Sequence, residues 1–371
     1  KNVRCDSLDP AFTLDNGVIE FQRDHFPNFH KLMRDLEVQL EQTPISSELF
    51  LANGHYYKST GAIRYGCKTA WEKLLESLKL TPIMFSYLSF AARVNFANQD
   101  SFHGRPVSDY LASDISGRWL KMLLMYAYSM PYKSIDDFPA EIGMSLLAHS
   151  GLFTKWDRIN DGVYSYIEKI LSRFKGTIYC NAHIQGVSRD AAGIRIKLAN
   201  GDEKHFDKVV FATTPDQVLA LLTDPSEDEI RRFKAWNRNK IKTLIHTDTS
   251  IYKHFGVSYF CEFDLFQIKG SGECGYNAYL DRLCGLDGQT ETHYSLSYNL
   301  EQQIDPKKII DVQHHISPNY NVEAIHYRQE VKDTNGENNT YHAGAYLYDG
   351  LHEGAVTSGF LVSELLGGQK L

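Results

Sequence analysis

Positive charge is scarce in this sequence: 39 Lys and Arg stand against 46 Asp and Glu in 371 residues, a net charge of −7. Phosphate backbones are bound by clustered cations, and no long basic run occurs, so no nucleic-acid partner is expected. Cysteine is sparse as well. The six (Cys5, Cys67, Cys180, Cys261, Cys274, Cys284) are scattered without any Cys-x-x-Cys pair, which argues against a zinc site and a disulfide framework and suits reduced thiols in a cytoplasm. His314 and His315 are adjacent, so on a strand their side chains diverge, and no metal is expected there. Long uncharged apolar runs are missing too. The most lipophilic window, 80–97, contains Pro82, Arg93 and Asn95 and is too short and polar to span a bilayer. It reads as a buried helix, with a helix lying on a membrane surface, and so peripheral membrane contact, as the alternative. The N-terminus, from Lys1 to Asp6, is charged and has neither an initiator Met nor an apolar core. It is no signal peptide and reads as a cut end.

What is present suits two domains sharing a core: 43% hydrophobic and 23% charged residues are ordinary for a globular chain of this length. The most informative stretch is 339–359. Residues 340–345 follow the turn pair Asn335 and Gly336 and read as a buried strand. Beyond a loop, Ala355, Gly359, Val362 and Leu366 fall at helical spacing, and Gly367 with Gly368 supplies the stop. Small residues on the first turns (Gly354, Ala355, Ser358, Gly359) leave free backbone N–H groups and the positive end of the dipole open to a ligand. A plain strand-to-helix crossover accounts for the same residues equally well.

Elsewhere the pattern alternates between layers. Residues 12–21 read as a hairpin turning at Asn16 and Gly17, 27–40 as a helix capped by Asn28, and 50–57 as a hairpin turning at Asn53 and Gly54. From 69 to 149 the chain reads as mostly helical and dense in aromatic and aliphatic residues, suited to an apolar substrate or to an ordinary core. A helix ending near Leu171 precedes a run of strands at 177–180, 184–189, 193–198 and 204–210. The last of these continues through Val209, Val210, Phe211 and Ala212 and breaks at Thr213, Thr214 and Pro215 into a helix. An acidic helix ending near Trp236 follows, then strands at 243–247, 276–280, 293–299 and 322–328. Gly270, Gly272 and Gly275 spell Gly-x-Gly-x-x-Gly, the dinucleotide fingerprint. Strand-like residues on both sides make it a hairpin loop instead.

The pattern Ala343-Gly344, a loop, then Glu353-Gly354-Ala355-Val356 and Gly359 resembles the C-terminal flavin-binding signature of the flavin-containing amine oxidase superfamily, in particular a bacterial subgroup of FAD-dependent or NAD/FAD-binding oxidoreductases. The resemblance implies FAD as cofactor. It implies that Gly344, Ala345, His352 (through its backbone), Gly354 and Ala355 lie along the ribityl chain and pyrimidine edge, with Tyr346, Tyr348, His352 and Glu353 as nearby polar groups. Asp15 and Gly17 match an Asp-x-Gly that follows the superfamily's N-terminal unit, Ile184 its adenine position, and Ala212, Thr213 and Thr214 a strand end beside the pyrophosphate. There is a departure: amine oxidases hold the ribityl hydroxyls with an acid just after the glycine, where this chain has Ala345. The N-terminal Gly-x-Gly-x-x-Gly unit is also not in this sequence, and the expectation is that it was lost upstream of Lys1.

The implied fold is a mixed α/β one. An N-terminally incomplete, doubly wound FAD-binding domain comes from 1–25, 151–225 and 335–371. A discontinuous substrate domain of mixed sheet and helices comes from 26–150 and 226–334, with the helical block at 69–149. The implied function is an FAD-dependent oxidoreductase moving a hydride from a small hydrophobic, lipid-like substrate to flavin. The alternatives are a double-bond isomerase of polyunsaturated fatty acids and a scaffold that catalyses nothing. No catalytic residue is assigned; Tyr346, Tyr348 and His352 are the candidates, although a tyrosine in such a loop packs more often than it reacts.

Overall fold

The longest strands of the chain lie side by side. In the computed structural model, which describes residues 2–5, 12–17, 19–149 and 154–368, Ile309–Asn319 pairs antiparallel with Asn237–His246. The sheet continues through Ser295–Tyr298, Cys274–Tyr279, Phe263–Gln267, Glu48–Phe50 and Tyr56–Lys58, seven strands in all. Only the Phe263–Gln267 and Glu48–Phe50 pair is parallel. Alternation sets its faces. Asn239, Ile241 and Thr243 are buried while Arg238, Lys240 and Lys242 between them are exposed. Helices Ala70–Phe96, Ile115–Tyr128 and Ala140–His149 contribute Leu80, Met122, Leu124 and Leu147 to the same core as Ile241, Leu265, Tyr276 and Leu296 of the sheet.

Smaller sheets make up the remainder. Val209–Phe211 runs parallel to Thr340–His342, and the N–H of Ala343 donates to the carbonyl of Phe211 at 3.0 Å, so two segments expected at the flavin lie side by side. Strands Ile184–Asp190, Gly193–Leu198 and Glu203–Phe206 form a separate antiparallel meander. The expected continuous strand at 204–210 is therefore two strands in different sheets. The glycine-rich loop at 270–275 does connect antiparallel strands, Phe263–Gln267 and Cys274–Tyr279.

Three expectations fail for physical reasons. Residues 12–21 form no hairpin: Phe12–Asp15 pairs back onto Asn2–Cys5, whereas Glu20–Gln22 joins Trp156–Ile159 and Leu40–Thr43 in a three-stranded sheet. Asn16 and Gly17 are a local turn signal overruled by distant strand partners; Val18, between the strands, lies outside the described residues. Residues 322–328 are helical (Val322–His326, then Arg328–Asp333), because the Asn321 side chain caps them by accepting from the N–H of Ala324 at 2.8 Å. Residues 177–180 find no ladder and stay exposed.

Candidate active site

The ends of these sheets enclose a cavity of about 630 Å³. Each wall follows from local structure. Glu20 and Gln22 sit two apart on Glu20–Gln22, so both point into the cavity, while Phe21 between them stacks on Phe29 at 4.3 Å on the other side. Ala212, Thr213 and Thr214 enter where Val209–Phe211 ends, and Gly344, Ala345 and Tyr346 where Thr340–His342 ends. Opposite them, the large sheet and the helix Ile115–Tyr128 supply Tyr126, Ile241, Thr243, Phe263, Tyr276 and Leu296.

The sequence-selected residues divide into two groups. Gly17, Ala212, Thr213, Thr214, Gly344, Ala345, Tyr346, His352 and Ala355 all line the cavity. Asp15 does not: its carboxylate accepts from the N–H of Val163 at 3.0 Å, and burial raises its pKa. Ile184 opens its meander strand on the surface, 42% exposed. Tyr348 is turned toward Lys332, whose ammonium lies 4.7 Å from the ring centroid. Glu353 caps a helix instead of facing the cavity: its carboxylate accepts from the N–H groups of Asn28 and Phe29, at 3.1 and 2.9 Å, at the start of Pro27–Asp35.

The helix His352–Leu365 is less open than its small residues suggest. Asp349, which sequence reasoning passed over, places Oδ1 at 2.9 Å from the N–H of Gly354 and 2.8 Å from that of Leu351. A Cβ on Gly354 would fall 2.4 Å from that oxygen, so the glycine there makes room for the cap. Among the described residues, the N–H groups of His352 and Glu353 have no protein acceptor and remain for a ligand. Gly350, at φ +79°, completes the turn; a Cβ would strike the rings of Tyr128 and Tyr320 at 2.8 and 2.9 Å.

The electrostatics are lopsided. Glu20 is the single carboxylate among the lining residues, and they include no Lys or Arg. Burial raises the Glu20 pKa, and the hydroxyl of Tyr126 donates to its carboxylate. His352 sits edge-on to Phe21 and Phe29, at 5.0 and 5.5 Å, and burial lowers its pKa to about 4, leaving a neutral imidazole. His315 Nε2 lies 2.9 Å from the hydroxyl of Thr243, which in turn donates to Oδ1 of Asn16 at 3.0 Å. Glu20, Gln22, Asn16, Tyr126 and His315 were missed as site residues; the period-two alternation on their strands was the available signal for Glu20 and Gln22.

The family model for flavin containing amine oxidoreductase matches residues 3–257. The chain belongs to that family. Its cofactor is FAD, and it is an FAD-dependent enzyme of mixed α/β fold. No protein of curated function matches the sequence. Among solved structures, the CLA-producing fatty acid isomerase from P. acnes superposes with a TM-score of 0.66 at 14% identity, over 96% of this chain and 86% of that one. Cyclohexylamine oxidase from Brevibacterium oxydans gives 0.65 at 9%, over 98% and 91%. Wild-type putrescine oxidase bound to putrescine gives 0.62 at 10%, over 99% and 90%.

The cavity of this flavin-dependent family member fits a flavin on one observation of its own. Five buried polar atoms among its lining residues lack any partner: Asn16 Nδ2, Gln22 Nε2, the hydroxyls of Thr213 and Thr214, and that of Tyr346. Native proteins leave few such groups unpaired, because each costs about 1–3 kcal/mol. Both donors and acceptors stand ready for a ligand with a polar edge.

Proposed function

We propose that this enzyme oxidises a long, apolar, lipid-like substrate, with Glu20 taking the proton that accompanies hydride loss. When bound, FAD supplies the hydride acceptor. The chain's residues do the remainder. Thr213, Thr214, Tyr346 and the free N–H groups of His352 and Glu353 hold the polar edge of the cofactor. Tyr126, stacked on Phe263 at 4.4 Å and edge-on to Tyr276 at 4.9 Å, forms with them an aromatic wall that positions the reacting carbons and excludes water. Glu20 keeps a proton-accepting oxygen inside that wall, and its raised pKa brings it closer to neutral pH.

The observation that carries this reading is the lining itself: one acid and no fixed cation, with a wall of Tyr126, Ile241, Phe263, Tyr276 and Leu296 opposite the polar groups of Thr213, Thr214 and Tyr346. A substrate held by charge would need more than one carboxyl whose charged form burial disfavours, whereas an alkyl chain needs only the apolar wall. The likeness to a fatty acid isomerase favours a second reading, in which the double bond of a polyunsaturated fatty acid moves and the hydride returns to the substrate.

Anaerobic mixing of the FAD-loaded protein with long-chain fatty acids distinguishes the two. Oxidation bleaches the visible flavin band, and Glu20→Gln slows that bleaching at least tenfold. A shifted double bond without net bleaching, insensitive to Glu20→Gln, selects isomerisation. Bleaching by soluble amines alone sinks the lipid-like substrate.

A further inference from the structure

We propose that the outward face of the helix Ala70–Phe96 docks this protein onto an anionic lipid surface, from which an apolar passage leads to the cavity. The passage, and the argument drawn from it, rest on the lipid-like substrate proposed above; the charge and the exposed stripe of the helix do not. The helix is 27 residues long, about 40 Å. Its inward side is held by Leu80, Phe90 and Val94, all buried. The opposite side is apolar as well: Trp71, Leu74, Leu78, Phe85, Leu88 and Phe96 are exposed, Trp71 by 66%, Phe85 by 71% and Phe96 by 92%. At about 100° per residue these six fall within an arc of about 100° that contains no charged side chain. An uncharged stripe of this length on a surface helix marks an interaction site.

Two observations select a lipid surface over another protein. The first is charge. Residues 60–97 hold five cations (Arg64, Lys68, Lys73, Lys79, Arg93) against two acids (Glu72, Glu76), a local excess of positive charge in a chain of net −7. Cations beside an apolar helix face complement anionic headgroups. The second is continuity. Beneath the same helix, Leu80, Ile83, Met84 and Tyr87 line a second pocket of about 210 Å³, which shares Ile45, Leu123, Leu147, Trp156 and Phe263 with the large cavity. The shared wall makes the two pockets adjacent, and the passage proposed to join them serves a lipid-like substrate leaving a membrane, not a protein partner. Among the described residues no helix is long and apolar enough to cross a membrane, so the contact lies along the surface.

The test is flotation of the FAD-loaded full chain with vesicles of phosphatidylglycerol and phosphatidylcholine, against vesicles of phosphatidylcholine alone. The protein floats with the anionic vesicles, and the double variant Leu78→Glu, Phe85→Glu lowers the bound fraction at least tenfold while its thermal midpoint stays that of the parent. A protein that stays in the soluble fraction with both vesicle types at low salt overturns the docking. So does a parent dimer that Leu78→Glu, Phe85→Glu converts to monomer, since a second copy then covers the stripe. Flotation without reaction on any fatty acid removes the substrate reading and leaves the docking; reaction without flotation does the reverse.

Discussion

Thr213, Thr214 and Tyr346 each bury a hydroxyl with no partner, an arrangement that costs stability unless something else supplies the bond. Each is then worth more to ligand binding than to the fold. Tyr346→Phe is expected to leave the thermal midpoint of the apoprotein unchanged or slightly higher. It should also weaken FAD by roughly two- to tenfold, the value of one ordinary hydrogen bond. Titration of apoprotein with FAD, followed by flavin fluorescence, checks both halves. A midpoint that collapses would show that the ring of Tyr346, packed edge-on to Trp236 at 5.4 Å, depends on its hydroxyl after all.

At the scale of elements, the stretch with the most informative sequence does two jobs at once. His352–Leu365 presents His352 and Ala355 to the cavity, yet Glu353 between them leaves for the start of Pro27–Asp35, where it stands in for a missing N-cap: Phe26 caps that helix with no side-chain hydrogen bond. Loss of a capping acceptor costs about 1–2 kcal/mol. Glu353→Ala should therefore lower the unfolding free energy from urea titration by that much, moving the midpoint down with an unchanged m-value, while bound flavin absorbs as before. Altered flavin absorption without lost stability would return Glu353 to the site.

For the whole molecule, pH is the sharpest lever. His246 and His342 are buried, and burial lowers the pKa of each to about 4. A histidine lowered in the folded state contributes stability that is present above its unfolded pKa of about 6.5 and is lost as pH falls toward 4. Within that window each group should weaken folding by up to about 1.4 kcal/mol per pH unit. The buried carboxyls of Glu20 and Asp264, raised chiefly by desolvation, act in the opposite sense and lose stability as pH rises above the carboxylate range. Urea unfolding between pH 4 and 7 should thus show an acid limb that the buried carboxyls partly offset, and His342→Gln should flatten it. An unchanged limb would mean that His342 picks up its proton while folded.

Several local signals were readable in the sequence, although the turn pair at Asn16 and Gly17 was overruled and the Asn321 cap was missed. The strand and helix around Gly344 and Gly354, the hairpin at Asn53 and Gly54, the rejection of Gly270-x-Gly272-x-x-Gly275 as a phosphate loop and, among the described residues, the lack of a helix long and apolar enough to span a membrane all depend on a few neighbouring residues, and local dihedral preference and periodicity decide them. Other features were set by partners more than a hundred residues away. Glu20–Gln22 takes its direction from Trp156–Ile159, and so Glu20 became the acid of the cavity instead of one arm of a hairpin. Glu353 was taken from the site by a helix more than three hundred residues distant. The outward stripe of Ala70–Phe96 has apolar residues on both faces, so periodicity alone could not say which face was core. Sequence settles what each segment can form, because backbone preference acts at short range; tertiary packing alone decides which side chains share a space, because burial is a property of the assembled chain.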